Sequence, residues 1–171
     1  NIYHLRETIL AAYAVCNTIG IANSIFQESI NTFNIPDGRG KIIDFTNYQI
    51  IDDSYNASPA SMRFGINRLS NMNVKNKKIL IMGDMLELGK HAIQEHKNLG
   101  EFINSKNIDI ILTVGNNMSY LHDTLNENYQ IKKHFLNIIE LKKELFKSIV
   151  EKNDVILIKG SRTMKLEGIY N

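Results

Sequence analysis

The feature that most constrains this chain is the return of short, uninterrupted apolar runs, Ile79-Leu80-Ile81-Met82, Ile110-Ile111-Leu112-Thr113-Val114 and Val155-Ile156-Leu157-Ile158, with amphipathic stretches between them. A strand with one wet face alternates apolar and polar residues, whereas a strand apolar throughout is covered on both faces, as in a parallel sheet between helices. The intervening segments carry helical spacing near residues 59–72, 91–105, 116–125 and 138–150. Strand and helix in strict succession predict an α/β fold, a mostly parallel sheet with helices on both faces. The more polar run 131–135, around His134, reads as an edge strand, and residues 41–45 with 48–52 read as a hairpin turned by Thr46-Asn47.

Upstream, Leu5, Ile9, Ala12, Cys16 and Ile19 recur at helical spacing, Gly20 interrupts, and Ile21, Ile25 and Phe33 mark a second, shorter helix. Cys16 lies in the apolar stripe and is expected to be a buried, inert thiol. Pro36, Gly38 and Gly40 then break the pattern, so the domain boundary is expected there, with residues 1–38 in one body and 39–171 in the other.

Composition narrows the function classes. Twenty basic residues against 18 acidic ones are scattered along the chain, which gives nucleic acid no stripe to follow. The single cysteine excludes an internal disulfide and a cysteine-based zinc site, and fits a reducing, cytoplasmic setting. The most apolar window, 9–16, is far short of the roughly 20 residues that cross a bilayer, so no membrane insertion is expected. His91 and His96 are five apart, on different helix faces, with no third ligand nearby, and read as solvated histidines rather than a metal site. Met62, Met72, Met82, Met85 and Met118 read as gap-filling core residues.

In an open α/β sheet, ligands bind outside the carboxyl ends of the strands. Four segments fall there: Asp52-Asp53-Ser54-Tyr55-Asn56-Ala57-Ser58-Pro59, Gly83-Asp84-Met85-Leu86-Glu87-Leu88-Gly89, Val114-Gly115-Asn116, and Lys159-Gly160-Ser161-Arg162. Ser58 followed by Pro59 predicts a helix start with Ser58 as its N-cap. Asp53 has two readings, a group that caps a turn and an acceptor for ribose hydroxyls. Asp84 and Glu87 either face the crevice or close a tight turn. Lys159, Ser161 and Arg162 offer two cations and a hydroxyl, a set suited to a carboxylate or phosphate.

Taken in order, these loops resemble the Mur ligases, and within them the branch that handles D-alanyl-D-alanine. Residues 53–62, Asp-Ser-Tyr-Asn-Ala-Ser-Pro-Ala-Ser-Met, follow that branch's D-x-Y-N-A-N-P-x-S-M signature with Ser58 in place of the second Asn. Residues 83–89 match its G-D-M-x-E-L-G loop and 159–162 its K-G-S-R loop. Gly38-Arg39 and Leu10-Ala11-Ala12 extend the likeness over nearly the whole chain. Before Leu-Ala-Ala the family has G-x-H-N-x-x-N, with asparagines near the adenine; here His4 is kept, and Ile2, Leu5 and Thr8 replace the Gly and both Asn.

The resemblance implies a Rossmann-like Mur ligase carboxy-terminal domain preceded by the helical end of a central ATPase domain. It implies ATP with Mg²⁺, and a cytoplasmic, monomeric enzyme that joins D-alanyl-D-alanine to UDP-N-acetylmuramoyl-tripeptide through an acyl phosphate. By motif position His4 and Arg39 fall to ATP, Asp53 to its ribose, and Tyr55, Asn56 and Ser58 to the loop lining the cleft. Asp84, Lys159, Ser161 and Arg162 fall to the incoming dipeptide, whose carboxylate needs a cation. The family's G-x-x-G-K-T-type phosphate loop and metal-site lysine have no counterpart in these 171 residues, so no catalytic residue is assigned and the chain by itself is expected to lack ligase activity.

Two other readings stand beside this one. The replacements around His4 suit a non-catalytic binding module descended from a ligase. Asp52, Asp53, Thr113 and Lys159 imitate a phosphoacceptor receiver domain, although such a domain carries its phosphorylated Asp at the end of the middle strand, where this chain has Val114-Gly115.

Overall fold

A computed structural model describes residues 5–171; Ile2 and His4, singled out above, lie outside the described residues. The chain divides into two compact units between Pro36 and Asp37.

In the first unit, helix α1 (Arg6–Thr18) and helix α2 (Asn23–Thr32) are joined at Gly20, whose φ of +78° is the left-handed turn a glycine adopts without a Cβ penalty. Ile21 N–H closes the turn on Cys16 O at 2.9 Å. Tyr13 meets Phe26 edge to face, ring centroids 5.3 Å apart. Neither helix has a buried residue, and Cys16 is half-buried, a correction to the buried thiol expected from its stripe. Within its unit α1 has only the ten-residue α2 to pack against, too little surface to cover an apolar face.

The second unit is a six-stranded sheet in the order β1-β2-β6-β3-β4-β5, with β1 Lys41–Asp44, β2 Gln49–Asp53, β3 Lys78–Gly83, β4 Ile110–Val114, β5 Ile131–Phe135 and β6 Val155–Lys159. Strand β1 runs antiparallel to β2 and every other pairing is parallel, as the apolar runs required. Strands β3, β4 and β6 are buried throughout, and β5, the polar run, lies at the edge.

Alternate residues of each strand feed two cores. Ile51, Leu80, Met82, Ile111 and Leu157 pack with Met62, Ile66 and Leu69 of α3 (Pro59–Asn71), Leu99 and Ile103 of α4 (Ala92–Ile103), and Met118 and Leu121 of α5 (Met118–His122). Ile50, Ile79, Ile81, Leu112 and Ile158 face the opposite layer, which holds Leu141 of α6 (Ile138–Glu144), Leu145 and Ile149 of the π-helical turn that extends it, and Leu166 and Ile169 near the carboxyl terminus. Of the five methionines assigned to the core, Met62, Met82, Met85 and Met118 are fully buried, and Met72 packs against the core while partly buried.

Two local features set the site. Ser58 caps α3 reciprocally: its Oγ accepts from Ser61 N–H at 3.3 Å and Ser61 Oγ accepts from Ser58 N–H at 3.0 Å, with Pro59 in the first turn. His96 corrects the expectation of a solvated histidine. It is fully buried, its Nε2 accepts from Met85 N–H at 3.1 Å, and its Nδ1 faces Ala92 O at 2.7 Å. A backbone donor can only be met by an unprotonated Nε2, so the proton belongs on Nδ1, which donates to Ala92. The loop after β3 turns a backbone N–H inward, and a buried donor needs an acceptor.

Candidate functional site

The parallel register sets the tips of β2, β6 and β3 side by side: Asp53 is level with Lys159, and Lys159 with Met82. Lys159 Nζ lies 2.8 Å from Asp53 Oδ2 and donates to Asn56 O at 3.0 Å. The lysine side chain is 3 % exposed and the aspartate 23 %. A charge so buried must be paired, and the structure therefore gives Lys159 a different part from the one expected of it: it holds Asp53 and the 53–56 loop instead of standing open to a carboxylate. Gly65 on α3 fits over this pair, since a Cβ there would come within 3.3 Å of Lys159 Cδ. Arg68, which donates to Gly40 O at 2.9 Å, has its guanidinium pKa lowered by burial, opposed by the charge of Asp53.

Asp84 and Ser161 meet from neighbouring strand tips. Ser161 N–H donates to Asp84 O at 3.1 Å, and Leu86 N–H donates to Ser161 Oγ at 2.8 Å. Asp84 Oδ1 accepts Met118 N–H at 2.8 Å, tying the β3 tip to the start of α5. Gly115, φ +113°, makes room for this carboxylate, because a Cβ would fall 2.7 Å from Asp84 Cγ. Glu87 is exposed in the same loop with φ +67°.

On the other flank Tyr55 carries two guanidinium groups. Arg39 Cζ stands 3.9 Å from the ring centroid and Arg162 Cζ 5.7 Å. Arg162 also pairs with Glu167 Oε1 at 3.0 Å. A polar cavity of about 410 Å³ opens here, walled by Asp52, Ser54, Tyr55, Arg162, Glu167 and Tyr170. Asp52, 1 % exposed, is the hub of its floor. It accepts from Gly38 N–H at 2.7 Å and from Ser54 N–H and Oγ, and its charge acts on the Tyr170 hydroxyl. Burial, and then the nearby Asp52 carboxylate, raise the Tyr170 pKa well above the usual phenol value.

The structure thus brings Asp53, Asn56 and Lys159 into one cluster, Asp84 and Ser161 into a second beside it, and Arg39, Tyr55 and Arg162 into a stack. Ser58 is exposed at the head of α3. Sequence reasoning missed Glu167 and Tyr170. Glu167 left a weak signal, an acid five residues past Arg162; Tyr170 left none, since its partner Asp52 is remote in sequence. Among the described residues no group of three or more His, Cys, Asp or Glu could hold a metal ion, and no helix is long and apolar enough to cross a membrane.

Comparison with known proteins gives a consistent result. The family described as Mur ligase, glutamate ligase domain, matches residues 38–162. The UDP-N-acetylmuramoyl-tripeptide–D-alanyl-D-alanine ligase of Buchnera aphidicola (subsp. Baizongia pistaciae) is 34 % identical over 98 % of this chain, and that of Bacillus subtilis 33 % identical over 97 %. The chain spans little more than a third of these relatives, 35 % and 37 % of their lengths. Among solved structures, a MurF from Acinetobacter baumannii superposes with a TM-score of 0.85 at 27 % identity, over 98 % of this chain and 37 % of that one. The MurF ligase of Thermotoga maritima, solved in complex with ADP, gives 0.78 at 26 % identity, over 95 % and 36 %.

Proposed function

The chain belongs to the Mur ligase family, and on that premise we propose that it is the carboxy-terminal part of a cytoplasmic, monomeric, ATP-dependent amide ligase joining D-alanyl-D-alanine to UDP-N-acetylmuramoyl-tripeptide in peptidoglycan precursor synthesis. In this reading residues 1–38 are the end of the central ATP-binding domain and residues 39–171 the carboxy-terminal domain.

The reaction has two steps. An oxygen of the tripeptide's terminal carboxylate attacks the γ-phosphorus of ATP, and ADP leaves. The uncharged amine of the dipeptide then attacks the acyl phosphate carbon; the carbon–oxygen bond to phosphate breaks, phosphate leaves with its electron pair, and the nitrogen loses a proton. The work proposed for these residues is to hold and orient, which is most of what a phosphoryl transfer asks of a protein.

Asp53 accepts from the ribose hydroxyls with Oδ1, since Lys159 engages Oδ2. Arg39 meets the phosphates, and His4 keeps its place on the ATP side by resemblance. Tyr55, Asn56 and Ser58 line the loop. Arg162 takes the dipeptide carboxylate, with Asp84 and Ser161 fixing the neighbouring loop and Lys159 acting through Asp53. Mg²⁺ accompanies the ATP phosphates and offsets their charge; the described residues provide no cage of three ligands for it, so no step here is routed through it.

The observation that carries the proposal is the meeting of Asp53, Lys159 and Asn56 at the carboxyl ends of β2 and β6, where a nucleotide crevice belongs. The test is a full-length ligase assay with ATP, the tripeptide nucleotide and D-alanyl-D-alanine, following ADP and the new amide by mass. ADP and pentapeptide are expected in equal amounts, and neither from the 171-residue chain alone. Repeated turnover of ATP to ADP, beyond one equivalent per enzyme, at the same rate with and without the dipeptide defeats the proposal, and so does amide synthesis by the isolated chain.

A further inference from the structure

One exposed ring collects two cations from distant parts of the chain, and the backbone around it is built for that purpose. Tyr55 N–H donates to Gly38 O at 3.0 Å, and Gly38 N–H donates to the buried Asp52 at 2.7 Å. Gly38 has φ +74°, and a Cβ on it would fall 2.9 Å from both Tyr55 Cβ and Tyr55 N. Only glycine lets the segment carrying Arg39 lie this close to the loop carrying Tyr55. Arg162 reaches the same ring from the tip of β6, steadied on its other side by Glu167.

Two guanidinium groups repel each other unless something between or beside them compensates. The negative face of the Tyr55 ring does so in part, and the Glu167 carboxylate does so for Arg162. We propose that Tyr55 is a positioning residue: its ring holds Arg39 and Arg162 in one array, so that the group bound by Arg39 and the carboxylate bound by Arg162 are seated together, not independently. This rests on the ligase reading above, with an ATP phosphate on the Arg39 side and the dipeptide carboxylate on the Arg162 side. Tyr55 and Arg162 of the stack also wall the 410 Å³ cavity, within the volume range of small-ligand sites.

The test compares Tyr55→Phe and Tyr55→Leu in the full-length ligase. Leucine fills similar space without the ring, and Tyr55, 43 % exposed in a loop, belongs to neither core, so melting temperatures should stay close to the parent. The Michaelis constants for ATP and for D-alanyl-D-alanine are both expected to rise about 2- to 5-fold in Tyr55→Leu, the range of an exposed cation–π contact, and Tyr55→Phe is expected to recover most of the loss in both. A rise in only one constant overturns the proposal, as does a phenylalanine variant as impaired as the leucine one.

A second readout needs no turnover: the Nε–H resonances of Arg39 and Arg162 in the 171-residue chain. Both should carry a ring-current shift that survives Tyr55→Phe and vanishes together in Tyr55→Leu; a shift on one arginine alone sinks the array. An inactive parent ligase would count against the functional reading, while the resonances would still decide the array.

Discussion

Lys159 Nζ sits 2.8 Å from Asp53 Oδ2, the lysine all but sealed from solvent and the aspartate at the crevice edge. Adjacent parallel strands end level at these two residues, so the ion pair is a product of register. It fixes the direction of Asp53, and through Asn56 O the path of the loop that follows.

Removing both partners should therefore cost less than the two single losses together. Lys159→Met leaves Asp53 without its cation, and Asp53→Asn strands a buried ammonium. Each is expected to lose about 2–4 kcal/mol in urea unfolding, the lower part of the range for a broken buried pair because Asp53 is partly wet. The double variant should lose clearly less than the sum. Additive losses would mean that the two charges do not stabilise one another.

In the full-length ligase, Asp53→Ala is expected to raise the Michaelis constant for ATP roughly 10- to 100-fold, the equivalent of one charged hydrogen bond of about 1.5–3 kcal/mol. An unchanged constant would retire the ribose assignment.

Gly115 and Gly89 both have positive φ, but only Gly115 is crowded: a Cβ there meets the Asp84 carboxylate, whereas one on Gly89 meets nothing within 4 Å. Gly115→Ala should destabilise by about 2–4 kcal/mol, backbone strain plus a displaced carboxylate, and Gly89→Ala by about 1 kcal/mol, strain alone. Thermal melts of the two variants compare them directly, and equal losses would show that the Asp84 contact is unimportant.

Stability should fall with acid at the α5–β5 corner. His122 and His134 stand 5.8 Å apart between ring centroids. Burial lowers both pKa values. His134 and Lys132 lower that of His122 further while Asp123 and Glu127 oppose, and Asp84 and Asp123 oppose the shift at His134. A depressed folded pKa means that the folded chain binds the proton less readily than the unfolded one, so this stability is complete above about pH 6.5 and is lost as pH falls below it. Urea midpoints between pH 8 and pH 5 should drop less for His122→Leu than for the parent. Parallel profiles would remove His122 from the account.

Much of this was legible in the chain itself. The uninterrupted runs at β3, β4 and β6 gave away a sheet covered on both sides, and Ser58-Pro59 announced the start of α3. The place of β6 between β2 and β3 was not legible, because strand order depends on contacts between segments far apart in sequence. The burial of His96 is carried by the helical period, since with Leu99, Gly100 and Ile103 it continues the buried stripe of α4, while its polarity points the other way. Cys16 failed the other way, periodicity suggesting burial where the unit offers too little to pack against. The part of Lys159 was hidden for a similar reason, since a lysine in a strand-end loop looks free until its neighbour across the sheet is known.

The central claim is that the strand-end loops form one ligand-binding rim. Hydrogen–deuterium exchange of the full-length ligase, with and without a non-hydrolysable ATP analogue plus D-alanyl-D-alanine, tests it most directly. Within residues 37–171, protection at residue 39 and at residues 53–58, 84–88 and 159–162 is the expected result. Protection at the opposite end of the sheet, around residues 73–77 and 151–154, with those three loops unchanged, would contradict it.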